Sequence, residues 1–277
     1  MSARPIKLAV TGKGGVGKTT VSALLASMLQ KSGRKVIAID ADPDANLLAA
    51  LGHPKPDSIA PLVELKDLIE ERTGAKPGTT GGFFKINPRV EDIPDRYAVT
   101  VNGIKVLVAG AVKHGGSGCY CPENAFVRAL VTHLLLDKDA ALILDMEPGV
   151  EHLSRATVES VDQLLVVVEP GRLSVETAHR IQHCAEDIGL THICAVGNKV
   201  QSEADRQFLQ KELHHIKLIG CVPYDERLRA ADQAGKPLPG ASIAADLAVA
   251  AIVAALEKGE HTPAHTHPHS KSERHAH

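Results

Sequence analysis

The chain has 277 residues, 44% hydrophobic and 23% charged, with a formal net charge of −2. That length suits one large α/β core with additions, and the lack of any Lys/Arg block argues against a nucleic-acid surface. Aromatic residues are only 3% of the chain and tryptophan is missing, so the core has to be aliphatic and alanine-rich.

Ile6 to Thr11 is a short aliphatic strand that runs into a glycine-rich turn, and an Ala/Leu-rich helix from Thr19 to Ser32 follows. Lys35 to Asp40 is a second strand of the buried type. The stretch from His53 to Gly110 breaks this rhythm with a charged helix (Glu64 to Arg72) and a Gly/Pro/Thr-rich loop (Ala75 to Gly82). Two alternating runs, Ala98 to Val101 and Ile104 to Val108, are joined by Asn102-Gly103, a pair that tolerates the positive φ angles of a type I′ turn. A β-hairpin is expected there.

Further buried strands are Ala141 to Asp145, Gln163 to Val168, His192 to Gly197 and Ile216 to Val222. Val175, Ala178, Ile181, Ala185 and Ile188 recur at helix spacing between two of them. Continuous apolar strands alternating with helices predict an α/β fold: a mostly parallel, doubly wound sheet with helices on both faces. Residues 1–257 read as one domain with an insertion at about 53–110, and the His-rich residues 258–277 as a disordered tail.

Met1 to Lys7 has no apolar stretch ahead of a cleavage site, and the longest apolar run, Leu247 to Leu256, is about half a membrane span. With five cysteines, an odd number, the expectation is a cytoplasmic protein with reduced thiols and neither membrane nor nucleic acid as partner.

Gly12-Lys13-Gly14-Gly15-Val16-Gly17-Lys18-Thr19 fits the P-loop pattern between a strand and a helix. Glycines let backbone N–H groups close around phosphate oxygens, a lysine reaches the terminal phosphates and a hydroxyl binds Mg2+. Gly14, Gly15, Val16, Gly17, Lys18, Thr19 and Thr20 are therefore the expected ATP or ADP cradle, with Thr19 on Mg2+. The apolar strand ending in Asp145 is a Walker B arrangement, a carboxylate at the sheet edge within reach of the Mg2+ water shell.

The form Lys-Gly-Gly-x-Gly-Lys-Thr, with Lys13 as a second lysine, resembles the deviant Walker A of the superfamily holding the nitrogenase iron protein and the cell-division and partition ATPases. The resemblance implies that Lys13 reaches the nucleotide of a partner subunit, acting as an arginine finger does. It implies that Asp42 orients the attacking water and that Asp40 supports Mg2+; in the same acidic run Asp44 is also a candidate helix N-cap. Gly149 would flex as a second switch, and Asn198, Pro223 and Asp225 occupy the places where adenine is read, unless they are ordinary strand-end turns.

Cys119-Tyr120-Cys121 lies on a Gly-rich loop. Two thiolates make half of a tetrahedral site, and a two-fold dimer supplies four; within one chain, His114 is the nearest third ligand. Gly118 to Asn124 and Asp145 to His152 together resemble the maturation ATPases of nickel-dependent carbon monoxide dehydrogenase, with Pro148 a departure where a small residue is expected. That resemblance implies a homodimer whose paired cysteines bind nickel or zinc and a client that is apo carbon monoxide dehydrogenase. The alternative function is an ATP-gated iron–sulfur reductase of the nitrogenase iron protein type; a positioning ATPase fits less well, because no amphipathic terminal helix is visible. Cys184, Cys194 and Cys221 read as core, and the tail histidines either as a loose metal store or as solvated chain.

Overall fold

The computed structural model describes residues 6–78, 83–110, 121–137, 140–150 and 160–258. Its strands are β1 (Lys7–Gly12), β2 (Val36–Ala41), β3 (Val99–Val101), β4 (Ile104–Val108), β5 (Ala141–Met146), β6 (Gln163–Val168), β7 (Ile193–Val200) and β8 (Lys217–Pro223). They form one sheet in the order β3-β4-β2-β5-β1-β6-β7-β8. Every neighbouring pair is parallel except β3 and β4, which are antiparallel. These two are the expected hairpin: Val101 pairs with Ile104, and Asn102 and Gly103 take φ angles of 48° and 80°.

Strand residues alternate between two apolar layers, which is why both faces carry helices. On one side Val36, Ala38, Ile143 and Leu165 pack with α1 (Lys18–Lys31), α2 (Leu47–Ala50), α8 (Glu226–Gln233) and α9 (Ile243–Glu257). On the other, Ile37, Ile39, Leu142 and Leu164 pack with α3 (Lys66–Thr73), α4 (Ile93–Tyr97), α5 (Pro122–Leu136), α6 (Arg172–Asp187) and α7 (Glu203–Glu212). The buried Lys7 amine donates to Ala140 O (2.8 Å) and Leu134 O (3.4 Å), so β1 holds the end of α5.

Three details differ from the sequence reading. Of the cysteines expected in the core only Cys194 is buried; Cys184 is exposed and Cys221 half-buried. The helix N-cap in the acidic run is Asn46, not Asp44; the first helical N–H, that of Leu47, is taken by Asp40 Oδ2 at 2.8 Å. And β7 runs on to Val200, past its expected end at Gly197, because its pairing with β8 shifts register between Gly197 and Val200 rather than stopping. Cys119, His114, Glu151, His152 and the expected tail from 259 lie outside the described residues.

Candidate nucleotide site

The site forms where β1, β2, β5 and β7 end together at the C-terminal edge of the sheet, where ligands of open α/β folds bind. Gly17 stands at the N-cap of α1 with φ 90°, a left-handed conformation that favours glycine, and a Cβ there would collide with the Asn198 amide. The start of α1 turns its free N–H groups, and the positive end of its dipole, toward a bound phosphate.

Lys18 is buried, and its Nζ lies 3.9 Å from Asp42 Oδ2. Asp42 Oδ1 in turn accepts from Asp44 N at 3.0 Å, which fixes the loop after β2. Lys13, half-buried, begins the exposed crest made with Gly14 and Gly15.

Asp40 and Asp145 are register partners on β2 and β5, and both are fully buried. Burial first, and then repulsion from Asp145, push the Asp40 carboxyl up to about 7, against main-chain donation from Leu47 and Asp42. Burial likewise pushes Asp145 up to about 6, opposed by the hydroxyls of Thr19 and Ser22 and by the Lys18 charge. Ser22 Oγ donates to Asp145 Oδ1 at 3.0 Å, whereas Asp145 Oδ2 is buried with no hydrogen-bond partner among the described residues.

A buried carboxylate oxygen without a donor suits a hydrated cation. The donor set therefore fits Mg2+, with Asp145 and Thr19 at hand. Asp40 is less open: its two oxygens already accept from Asp42 N (3.2 Å) and Leu47 N (2.8 Å).

Three contributors went unread in the sequence. Thr11, fully buried at the end of β1, donates to Gly149 O at 2.9 Å and accepts from Gly149 N at 3.1 Å, tethering the segment after β5. Ser22 holds Asp145. Ser242 donates to Asp225 Oδ2 and caps α9.

Asp225 Oδ1 accepts from Arg227 N at 2.8 Å, so both its oxygens are engaged and only its main chain is left for a base. Pro223 ends β8 opposite Val200. The Asn198 side chain, 4% exposed, donates through Nδ2 to Val16 O at 2.7 Å, leaving Oδ1 as an acceptor. Cys121 is half-buried at the N-cap of α5, and Glu123 in the first turn accepts from Gly78 N at 2.9 Å.

The CobQ/CobB/MinD/ParA nucleotide binding domain matches residues 7–238. The chain belongs to this family. In keeping with the phosphate loop, it is an ATPase that uses ATP or ADP with Mg2+. Within the CobQ/CobB/MinD/ParA family it is 46% identical, over 256 residues, to the carbon monoxide dehydrogenase accessory protein CooC of Rhodospirillum rubrum, covering 91% of this chain and 97% of the relative. An ATP-binding protein of Methanocaldococcus jannaschii is 44% identical over 236 residues, 84% of this chain and 91% of the relative. Among solved structures, the MinC:MinD cell division complex of Aquifex aeolicus superposes with a TM-score of 0.66 at 21% identity, over 92% of this chain and 96% of that one. MinD of Pyrococcus horikoshii with Mg-ADP gives 0.63 at 20% identity, over 91% and 98%. At that identity the two structures speak for the fold alone.

Proposed function

We propose that this ATPase is a metallochaperone that binds nickel at paired cysteines, where zinc also fits, and loads nickel into apo carbon monoxide dehydrogenase, working as a homodimer. The observation that carries the proposal is how the cysteine loop is suspended. Its entry, at Ala109 and Gly110, donates two main-chain N–H groups to Asp40 O, at 2.8 and 3.1 Å. Its exit is Cys121, which starts α5. A displacement of Asp40 on nucleotide binding would therefore act on the main chain at Ala109 and Gly110, where the segment that carries the cysteines begins. The likeness to the carbon monoxide dehydrogenase accessory protein, covering nearly its whole length, supports that enzyme as the client.

In this reading two chains face each other, and Cys119 and Cys121 of each give four thiolates for one ion. Lys13 supplies positive charge to the partner's nucleotide, Lys18 binds the terminal phosphates, and Asp42 orients the attacking water. Main chain at Pro223 and Asp225, with Asn198 Oδ1, borders the adenine. ATP favours the closed pair and hydrolysis loosens it, a population shift set by differential affinity.

Cys121→Ser is expected to remove tight nickel binding while leaving ATP turnover within about twofold, because the thiolate lies outside the phosphate loop. Metal content of a chain ended after Lys258, which lacks the tail histidines, should be one ion per two chains. Retention of tight nickel by the serine variant would overturn the metal proposal. One ion per single chain would place the site within a protomer, with His114.

A further inference from the structure

A phosphate cradle built from backbone N–H groups turns its carbonyls outward, and outward carbonyls need donors. Two successive ones here, those of Gly15 and Val16, are met from the same dipeptide of β7. Lys199 Nζ donates to Gly15 O at 2.6 Å, and Asn198 Nδ2 donates to Val16 O at 2.7 Å. Glu169, just beyond β6, holds the Lys199 amine from the other side at 3.4 Å.

The backbone is distorted to make this possible. Lys199 has φ 56°, one of three non-glycine residues with positive φ among those described, a conformation that a residue with a Cβ adopts only at an energetic cost. β7 also carries one residue more than β8 across the same interval: Gly197 pairs with Cys221 and Val200 with Pro223. That is a bulge, a device that re-aims side chains at the edge of a site.

We infer that Lys199 is a positioning residue that braces the phosphate loop from outside, sharing the task with Asn198. The inference is independent of metal carriage. It predicts a specific signature, because an amide cradle serves the α- and β-phosphates that ADP and ATP have in common. A lysine touching the γ-phosphate would serve ATP alone.

The test is calorimetric titration of Mg-ADP and of a slowly hydrolysed ATP analogue into the full chain and its variants. Lys199→Asn tolerates the left-handed backbone but drops the cation, Lys199→Met drops the donor, and Lys199→Arg keeps a charged donor. Both neutral variants should weaken ADP and the analogue alike, by about fivefold to tenfold, the range left for a charge-assisted hydrogen bond that is partly exposed. Lys199→Arg should recover to within about twofold, and the thermal midpoint should stay put in all three. Unchanged affinity in both neutral variants would overturn the brace. So would a loss confined to the ATP analogue, or an arginine variant as weak as the asparagine one.

Discussion

Lys18→Ala should lose ATP hydrolysis by at least about a hundredfold to a thousandfold, the scale on which one preorganised electrostatic contact to a transition state is missed. Its amine is nearly shielded from solvent beside Asp42, so its charge acts on a phosphoryl group through little water. The neighbouring cations are poorly placed to substitute. Lys13 belongs to the exposed crest of the loop, and the Lys199 amine is spent on Gly15 O. Truncation also leaves the Asp42 carboxylate without its nearest counter-charge, which adds repulsion against the incoming phosphates. Phosphate release at saturating Mg-ATP is the measurement, and an alanine variant retaining a tenth of the wild-type rate would refute the assignment.

Asp145→Asn should do two opposite things: abolish turnover and stabilise the ligand-free protein at pH 8. The pH dependence follows from the raised carboxyls of Asp145 and Asp40, at about 6 and about 7 against an ordinary 3.8. The folded state holds these protons more tightly than the unfolded chain does. Stability is therefore fully present below about 4 and falls as pH rises through 6 to 7, reaching its lowest contribution above that. For Asp145 alone the linkage is worth on the order of 2–3 kcal/mol.

An asparagine keeps an acceptor for Ser22 while removing the charge, and it relieves Asp40 as well. Its thermal midpoint at pH 8 should rise by several degrees, about the shift such an energy gives in a domain of this size, and should depend less on pH than that of the wild type. Mg-ADP should raise the wild-type midpoint more than the variant's. A variant that melts lower at pH 8 would show that burial of the two acids is not the source of strain.

The sequence made the first third of the site plain. A glycine-rich turn between an aliphatic strand and a helix has few other uses, and β1, α1 and the Asn102-Gly103 hairpin lie within a residue or two of where they were expected. What it hid depends on register. Thr11 meets Gly149, and Asn198 meets Val16, only because β1 pairs with β5 on one side and β6 separates it from β7 on the other. Sequence distance carries no trace of either contact.

The helix α5 was legible but unread. Pro122 at its first position is a start signal, and Phe126, Leu130 and Leu134 recur four apart with all three buried. Asp40 has further duties that a run of acids does not show: its Oδ2 accepts from Leu47 N at the start of α2, and its main-chain O accepts from Ala109 N and Gly110 N.

The position of β1 has a consequence for how the protein comes into being. Among the described strands it comes first in the chain, yet its two neighbours are β5 and β6, which begin at Ala141 and Gln163. During synthesis β1 therefore waits, with both edges bare, until well over a hundred further residues have left the ribosome. Pairings of that sequence separation are slow, and an apolar unpaired strand is prone to join other chains meanwhile. The β2–β4 half of the sheet is available earlier, since its hairpin ends at Val108. The Lys7 amine cannot reach Leu134 and Ala140 before that wait is over. The phosphate loop thus precedes in the chain the two strands that flank β1, and its support on both sides is complete only once β5 and β6 have been made.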